Sequence, residues 1–150
     1  MSLTVLLDAG PLGMVTNPKS SSETEECKDW LASLVFRGAE VAIPEIVDYE
    51  VRRELLRAGK IKGLARLDAL KTMLAYIPIT TPVMLKAAEF WAAARRLGKK
   101  SADDASLDAD MILAAQADVL SRDGSGAVIA TTNVRHLDLF AAARMWKHIV

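Results

Sequence analysis

The sequence predicts a single α/β domain spanning residues 1–150, in which helices cover both faces of a mostly parallel sheet of four to five strands. Three observations predict this three-layer fold. Short apolar runs rich in branched residues alternate with longer segments of helical periodicity. The length of 150 residues suits one domain. Hydrophobic residues make up 51% of the chain, which is enough to bury a normal core.

The predicted strands are short runs in which apolar residues follow one another without alternation. This pattern is typical of strands buried on both faces, as in the middle of a parallel sheet. The runs are LTVLL (3–7), EVAIP (40–44), YIPI (76–79) and AVIATT (127–132), with WKHIV (146–150) as a short edge strand at the end.

The predicted helices combine an apolar stripe with start or stop signals. Ser22 and Glu25 have capping-box spacing at the start of the first helix, and Pro82 and Gly98 delimit a later one. The helices cover residues 22–36, 45–59, 64–74, 82–98 and 108–120, and polar residues 17–22 and 98–106 form loops.

Composition excludes several classes of function. Lys plus Arg and Asp plus Glu both total 19, so the chain lacks the strongly basic character of a nucleic-acid coat protein. Cys27 is the only cysteine, which excludes an internal disulfide and a cysteine-rich zinc site. No apolar run approaches the roughly 18 residues that span a bilayer, and LTVLL is too short for a signal peptide. We therefore expect a cytoplasmic protein with no membrane association.

Asp8 directly follows the first predicted strand, at the end of the sheet where parallel α/β proteins bind their ligands. Asp before Gly-Pro is also a common turn residue, and this second interpretation is favoured when Asp8 is considered alone.

Glu50 falls within the apolar arc of its predicted helix, between Ile46 and Val47 in angle. A carboxylate in such a position needs a cation, a partner or a place at the rim of the core. A salt bridge to Arg53 is an equally good interpretation for Glu50. For Glu54, a salt bridge to a nearby arginine is the better one.

Four aspartates cluster at the start of the last predicted helix. Asp110 shares a face with Leu113, Ala114 and Ala117, which predicts that its side chain points inwards. The alternative is a favourable charge at the start of a helix, which requires no inward direction. Asp108 points nearly the opposite way and is predicted to cap the helix. The other two, Asp103 and Asp104, belong to the preceding loop.

Polar residues also end a later strand, where Asn133 follows Thr131 and Thr132, although a simple turn is the favoured interpretation when they are considered alone. Taken together, the carboxylates of Asp8, Glu50 and Asp110 are predicted to meet at one edge of the sheet. Three such charges repel one another unless cations bind, and oxygen-only ligands favour Mg²⁺ or Mn²⁺. One or two such ions also suit phosphodiester chemistry.

With these residues in view, the chain resembles the PIN-domain family, most closely the VapC-type ribonuclease toxins of bacterial type II toxin–antitoxin pairs. VLLDAGPL resembles the segment with the first acid of the family (Asp8), and IPEIVDYEVRREL the segment with its helical Glu (Glu50). DADMILAAQA is similar to the element that carries the third acid (Asp110) and leaves Asp108 outside the pattern. VIATTNVRHL resembles the segment in which members have Asp or Asn, here Asn133.

The resemblance implies a Mg²⁺- or Mn²⁺-dependent endoribonuclease that leaves a 3′-hydroxyl and a 5′-phosphate, often dimeric and often inhibited by a small antitoxin. Asp8, Glu50 and Asp110 would hold the metal, and Asn133 would act as a ligand or position water. Two departures matter: Ala9 stands where many relatives have Thr or Ser, and Asn133 is neutral.

Other α/β proteins fit the sequence less well. A receiver domain needs paired acids after the first strand, a haloacid-dehalogenase phosphatase needs Asp-x-Asp where position 10 is Gly, and a Rossmann domain needs a glycine motif that is missing. The serious alternative is an inactive PIN fold that binds RNA or protein. RRLGKK (95–100) either steers RNA phosphates or is an ordinary basic helix end, and the second interpretation is slightly favoured.

Overall fold

A computed structural model of the chain describes residues 3–98 and 104–150. Five strands and six α-helices follow one another in the order expected of an α/β domain. The strands are β1 (Leu3–Leu7), β2 (Glu40–Pro44), β3 (Ala75–Ile77), β4 (Gly126–Thr131) and β5 (Ala143–Met145). The helices are α1 (Ala9–Thr16), α2 (Ser22–Phe36), α3 (Glu45–Arg57), α4 (Ile61–Met73), α5 (Thr81–Arg96) and α6 (Asp104–Leu120).

All five strands are parallel and lie in the order β3-β2-β1-β4-β5, with helices flanking the sheet. The predicted fold class, with its mostly parallel sheet of four to five strands, is therefore confirmed. β1 is central: Val5 pairs with Val41 of β2 and with Val128 of β4. The order of the strands brings the carboxyl ends of β1, β2 and β4 side by side at one edge.

The core forms because the central strands are apolar on both faces. Leu6, Leu7, Ile43 and Ile129 are fully buried in the sheet. α2 packs on α1 and β2, while α6 packs on α5, α3 and β4. The continuous apolar runs at 3–7, 40–44 and 127–132 thus correspond to the buried strands β1, β2 and β4. The run at 76–79 was also predicted to be buried, but β3 is a short edge strand with no fully buried residue. Within the described ranges, none of the helices combines the length and hydropathy needed to cross a bilayer.

Two local predictions at the amino-terminal half need correction. The turn expected after Asp8 is the start of an additional helix, α1, which begins at Ala9. The capping box of α2 is shifted by one residue from the predicted pair: Ser21 is the N-cap, and its side chain and that of Thr24 satisfy each other's backbone N–H groups. Ser21 replaces Ser22 because its backbone is extended, as an N-cap requires.

The predicted edge strand at residues 146–150 is also wrong. The edge strand is β5, three residues earlier, and Trp146–His148 form a 3₁₀ turn. The turn seats the buried Trp146 edge-on against Trp30, with ring centroids 5.5 Å apart. The Trp30 indole N–H in turn donates to the carbonyl of Ile149 at 2.7 Å. Aromatic packing and this hydrogen bond bind the end of the chain to α2, and the sheet does not extend to it.

Candidate metal-binding site at the edge of the sheet

Asp8 lies where β1 gives way to α1, and both of its carboxylate oxygens are held by hydrogen bonds. Oδ1 accepts from the backbone N–H of Ala9 at 2.7 Å, so Asp8 is the N-cap of α1. Oδ2 accepts from the Thr131 hydroxyl at the end of β4, also at 2.7 Å. The backbone N–H of Asp8 donates to the carbonyl of Ala130 at 2.9 Å. These contacts fix the carboxylate at the carboxyl edge of the sheet.

Thr131 is the buried link between Asp8 and the loop that follows β4. Its side chain is 1% exposed, and its hydroxyl oxygen accepts from the backbone N–H of Asn133 at 3.0 Å while the hydroxyl proton is directed to Asp8. Asn133 therefore supports the site through its backbone, and its side chain is exposed. The sequence prediction placed Asn133 in the site through its side chain, and that role stays a prediction.

Glu50 is on the buried side of α3, as its position in the apolar arc predicts. Its neighbours Ile46 and Val51 are buried, and the side chain of Glu50 is half-buried. The pKa of Glu50 is raised to about 7, first by burial and then by the negative charges of Asp8 and Asp110, against the opposing charges of Arg53 and Arg135. A carboxyl group with such a pKa is destabilised in its charged form.

Asp110 enters the same region from α6. Its face of the helix is shared by the buried residues Leu113, Ala114 and Ala117, which agrees with the predicted inward direction. Burial raises the pKa of Asp110 to about 6; the charge of Asp8 acts in the same direction and that of Arg135 against it. Asp110 Oδ2 is buried and accepts no hydrogen bond from any group in the described part of the chain.

Arg135 is a component of the site that sequence reasoning missed. Its guanidinium Nη2 lies 3.8 Å from Asp110 Oδ2, and its charge also lowers the pKa of Glu50. The backbone of Arg135 has φ +36°, a left-handed conformation that side chains rarely adopt and that is concentrated at functional sites. The only signal in the sequence was the position of this arginine two residues after Asn133. That position alone does not indicate that Arg135 would face Asp110.

Three acids from separate elements therefore share one electrostatic environment, because the charge of Asp8 acts on both Glu50 and Asp110. The donor set fits a hard divalent cation: all its ligands are oxygens, and a buried oxygen of Asp110 has no hydrogen-bond donor. Within residues 3–98 and 104–150, however, no three acidic, histidine or cysteine side chains are grouped tightly enough to form a metal site by themselves.

The other acids considered from the sequence lie outside this group. Asp108 is not a cap, since α6 extends back to Asp104 and places Asp108 inside the helix with its side chain exposed. Asp104, predicted in the loop, is the first described residue of that helix. Glu54 is exposed and forms a salt bridge with Arg57 at 2.9 Å, so the salt bridge that was favoured for Glu54 is confirmed. The remaining predictions concern Asp103, Lys99 and Lys100, which lie outside the described residues.

The departure from the family pattern at Ala9 has a structural counterpart. With Ala at position 9, the hydroxyl beside the Asp8 carboxylate comes from Thr131, on a different strand. A Cβ at Gly10 would meet the Thr132 hydroxyl oxygen at 2.5 Å. The glycine therefore permits the close approach of α1 to the end of β4 on which the Asp8–Thr131 contact depends.

Comparison with known proteins gives one family match. Residues 5–140 match the family model described as "PIN domain". A search of curated protein sequences found no match.

The fold is similar to that of several solved structures. VapBC2 from Rickettsia felis, bound to a DNA fragment from their promoter, aligns with a TM-score of 0.71 and 16% identity over 95% of this chain and 98% of that chain. VapBC-1 from nontypeable Haemophilus influenzae aligns with a TM-score of 0.68 and 13% identity over 96% and 98%. VapC20 from Mycobacterium tuberculosis, a sarcin-ricin loop cleaving toxin, aligns with a TM-score of 0.63 and 14% identity over 90% of this chain and 94% of that chain. At these identities the likeness concerns the fold.

Proposed function

This chain belongs to the PIN domain family, and from that premise we propose that it is a Mg²⁺- or Mn²⁺-dependent endoribonuclease of the VapC toxin type. The observation that supports the proposal is the repulsion among three carboxylates: the charge of Asp8 acts on both Glu50 and Asp110, and that of Asp110 acts on Glu50. Buried like charges of this kind lower stability, so their presence is best explained by a cation that function requires.

Asp8, Glu50 and Asp110 would hold the metal through their carboxylate oxygens. The ion would supply positive charge that stabilises the negative charge of the scissile phosphate, and it would lower the pKa of a bound water molecule. Asp8 contributes an oriented carboxylate, because Ala9 and Thr131 hold its two oxygens. Asp110 contributes an oxygen that no hydrogen-bond donor in the described chain occupies.

Arg135 and Asn133 would act on the substrate side of the carboxylates. The Arg135 side chain is about half exposed, so its guanidinium is accessible to RNA from solvent while lying 3.8 Å from Asp110. A guanidinium suits the bidentate binding of a phosphate group, and this would hold the phosphodiester beside the carboxylates. The exposed amide of Asn133 borders the same edge and would position water or substrate.

A small antitoxin is the proposed protein partner, since the similar structures include VapBC assemblies. The surface that favours a helix of such a partner is an apolar groove of about 450 Å³ between α2 and α4. Phe36 is 91% exposed at its rim, and Met73 is 71% exposed. Large exposed apolar side chains in one groove are typical of a protein interface.

A homodimer is a further part of the proposal. A second apolar groove, of about 360 Å³, lies between α5 and α6 and is lined by Met84, Trp91 and Met111. The Trp91 indole nitrogen is buried and has no hydrogen-bond partner in the described chain. Molecular mass by light scattering tests the dimer; a monomeric wild-type protein would contradict it.

An inactive PIN fold that binds RNA without cleaving it is the second candidate. It is favoured by one observation: in the described ranges the three acids are not grouped as tightly as the ligands of a metal site. Cleavage separates the two candidates, since both predict that RNA binds.

The test is cleavage of RNA on denaturing gels with Mg²⁺, Mn²⁺ or EDTA. We expect wild-type protein to cleave only with a metal, and Asp8→Asn and Asp110→Asn to abolish cleavage. Asp118→Asn is the matched control, since it removes the same charge two turns further along α6, from a residue paired with Arg122, and it should retain activity. Unchanged cleavage by both site variants would refute the assignment of these residues.

A further inference from the structure

A second candidate site lies along α3, the helix that also carries Glu50. It is a surface pocket of about 290 Å³, lined mainly by Glu45, Asp48, Tyr49, Arg52, Arg53 and Tyr76. This volume is at the lower end of the range for small-molecule sites, so the pocket suits one small planar group. None of these residues belongs to the proposed metal site.

One wall of the pocket is a partly exposed aromatic surface. The ring of Tyr49 is 56% exposed, although an aromatic side chain of this size normally packs against its own protein. The guanidinium carbon of Arg53, which is also exposed, lies 5.2 Å from the centre of that ring. An aromatic ring and an adjacent guanidinium plane are the two surfaces on which proteins stack unpaired bases.

The opposite wall is rigid and electrically balanced. Arg52 is held by Asp48 at 3.0 Å and by Asp68 at 2.8 Å, so its charge is already neutralised. Glu45 accepts the backbone N–H of Ile79 at 2.6 Å. A wall that carries the carboxylates of Glu45 and Asp48 beside an arginine that is already paired offers little attraction to a phosphate, and an uncharged ring with polar edges fits it better.

Arg53 connects this pocket to the carboxylates. It is one helical turn beyond Tyr49 and Glu50, and its charge acts on Glu50 in addition to contacting the Tyr49 ring. A nucleotide whose phosphate lay near Glu50 could therefore place its base near Tyr49.

We propose that the pocket between Tyr49 and Tyr76 is a base-binding subsite for single-stranded RNA, with the Tyr49 ring as the stacking surface and Arg53 as the contact to the adjoining phosphate. The inference rests on the proposed function for its substrate class. The subsite extends the proposed function, because it assigns the place where the nucleotide next to the reacting phosphodiester binds. The charged lining argues against a protein helix, for which the apolar groove beside Phe36 is the better surface.

Binding without cleavage tests the subsite directly. Fluorescently labelled RNA oligonucleotides are titrated with protein in EDTA, so that no metal-dependent reaction occurs. Tyr49→Ala should weaken binding about tenfold, Tyr49→Leu nearly as much, and Tyr49→Phe hardly at all, because stacking needs the ring and not the hydroxyl. An oligonucleotide made wholly of abasic units should bind wild type and Tyr49→Ala equally.

Arg53 is tested through the salt dependence of the same titration. Arg53→Gln should reduce the slope of log affinity against log salt by about one, as expected for a single lost phosphate contact. Arg57→Gln is the matched control: it removes the same charge one turn further along α3, from an arginine that is 72% exposed and paired with Glu54. Its slope should equal that of the wild type.

Contact with the base has an independent spectroscopic readout. Tyr49 and Tyr76 are the only tyrosines of the chain, so ring-labelled tyrosine gives two sets of NMR signals, and Tyr49→Phe assigns them. A short RNA should shift the Tyr49 ring signals upfield.

The inference is overturned if Tyr49→Ala binds RNA as tightly as the wild type and RNA leaves the Tyr49 ring signals of the wild type unshifted. This holds also if Tyr49→Ala loses binding to a protein partner, because Tyr49 would then belong to a protein interface. If the wild type binds RNA through Tyr49 but never cleaves it with Mn²⁺, the nuclease proposal fails and the subsite stands.

Discussion

Replacing Glu50 by Gln should stabilise the metal-free protein at alkaline pH, although it removes a residue of the proposed active site. The carboxylate of Glu50 is half-buried and repelled by Asp8 and Asp110, and its pKa rises from 4.5 to about 7 on folding. Glutamine has nearly the same shape and carries no charge. The substitution therefore removes the repulsion and leaves the packing against Ile46 and Val51 in place.

The direction of the pH dependence follows from the raised pKa. Below about pH 4.5, Glu50 is protonated in both the folded and unfolded chains, and the substitution has little effect on stability. As the pH rises towards about 7, the unfolded chain releases the proton while the folded chain retains it, so the wild type loses stability. The advantage of Glu50→Gln should therefore grow between these two pH values and then level off.

The magnitude follows from the same two values. Each tenfold change in acidity corresponds to about 1.4 kcal/mol, which gives about 3.5 kcal/mol for the full rise in the pKa. We expect about 2 kcal/mol, because part of the side chain is in contact with solvent that screens the repulsion. For a chain of this length, that corresponds to a rise in the melting temperature of about 4–8 °C.

The assay is thermal and urea unfolding in EDTA across this pH range. Glu54→Gln is the matched control on the same helix: Glu54 is 60% exposed and paired with Arg57, so its substitution should change stability little. Adding Mn²⁺ at about pH 8 should stabilise the wild type and not Glu50→Gln, which reverses their order. If Glu50→Gln unfolds earlier than the wild type in EDTA at that pH, the reasoning about repelled buried carboxylates is wrong.

Three further predictions concern single contacts. Thr131→Val keeps the volume of the side chain but removes the donor to Asp8; it should lower RNA cleavage about tenfold and stability by about 1 kcal/mol, and wild-type cleavage rates would contradict it. Trp30→Phe breaks the hydrogen bond from the indole N–H to Ile149 and should lower the free energy of unfolding in urea by about 1.5 kcal/mol. Trp91→Phe breaks no hydrogen bond in the described chain and should lower the free energy of unfolding less. Equal losses in the two variants would show that the Trp30–Ile149 hydrogen bond contributes little. Arg135→Gln removes the positive charge beside Asp110 and should lower the Mn²⁺ concentration needed for half-maximal thermal stabilisation roughly threefold, because Arg135 competes with the ion. A higher Mn²⁺ requirement would show that Arg135 stabilises the metal-bound form instead.

Much of the fold was predictable from local pattern. A strand buried on both faces needs a continuous apolar run, and the runs at 3–7 and 40–44 are strands with those bounds. The direction of Glu50 and Asp110 was predictable for a similar reason. A helix repeats its faces every three to four residues, so an acid among buried neighbours must itself point inwards.

The errors arose where a tertiary contact outweighs the local pattern. WKHIV has the composition of a strand, but the packing of Trp146 against Trp30 turns that segment away from the sheet. Asp108 has the residue type of a cap, but the helix continues one turn before it.

By itself, then, the sequence determined most of the strands and helices and which acids face inwards, because hydrogen bonding and burial repeat along the chain with fixed periods; helix α1 and the edge strand β5 were not among them. Only the tertiary structure decided that Thr131 would hold Asp8, more than a hundred residues away in sequence, and that Arg135 would face Asp110. Those contacts depend on the order of strands, which puts the ends of β1 and β4 side by side. No local period encodes which strands become neighbours, since that outcome depends on how the whole chain buries its apolar surface.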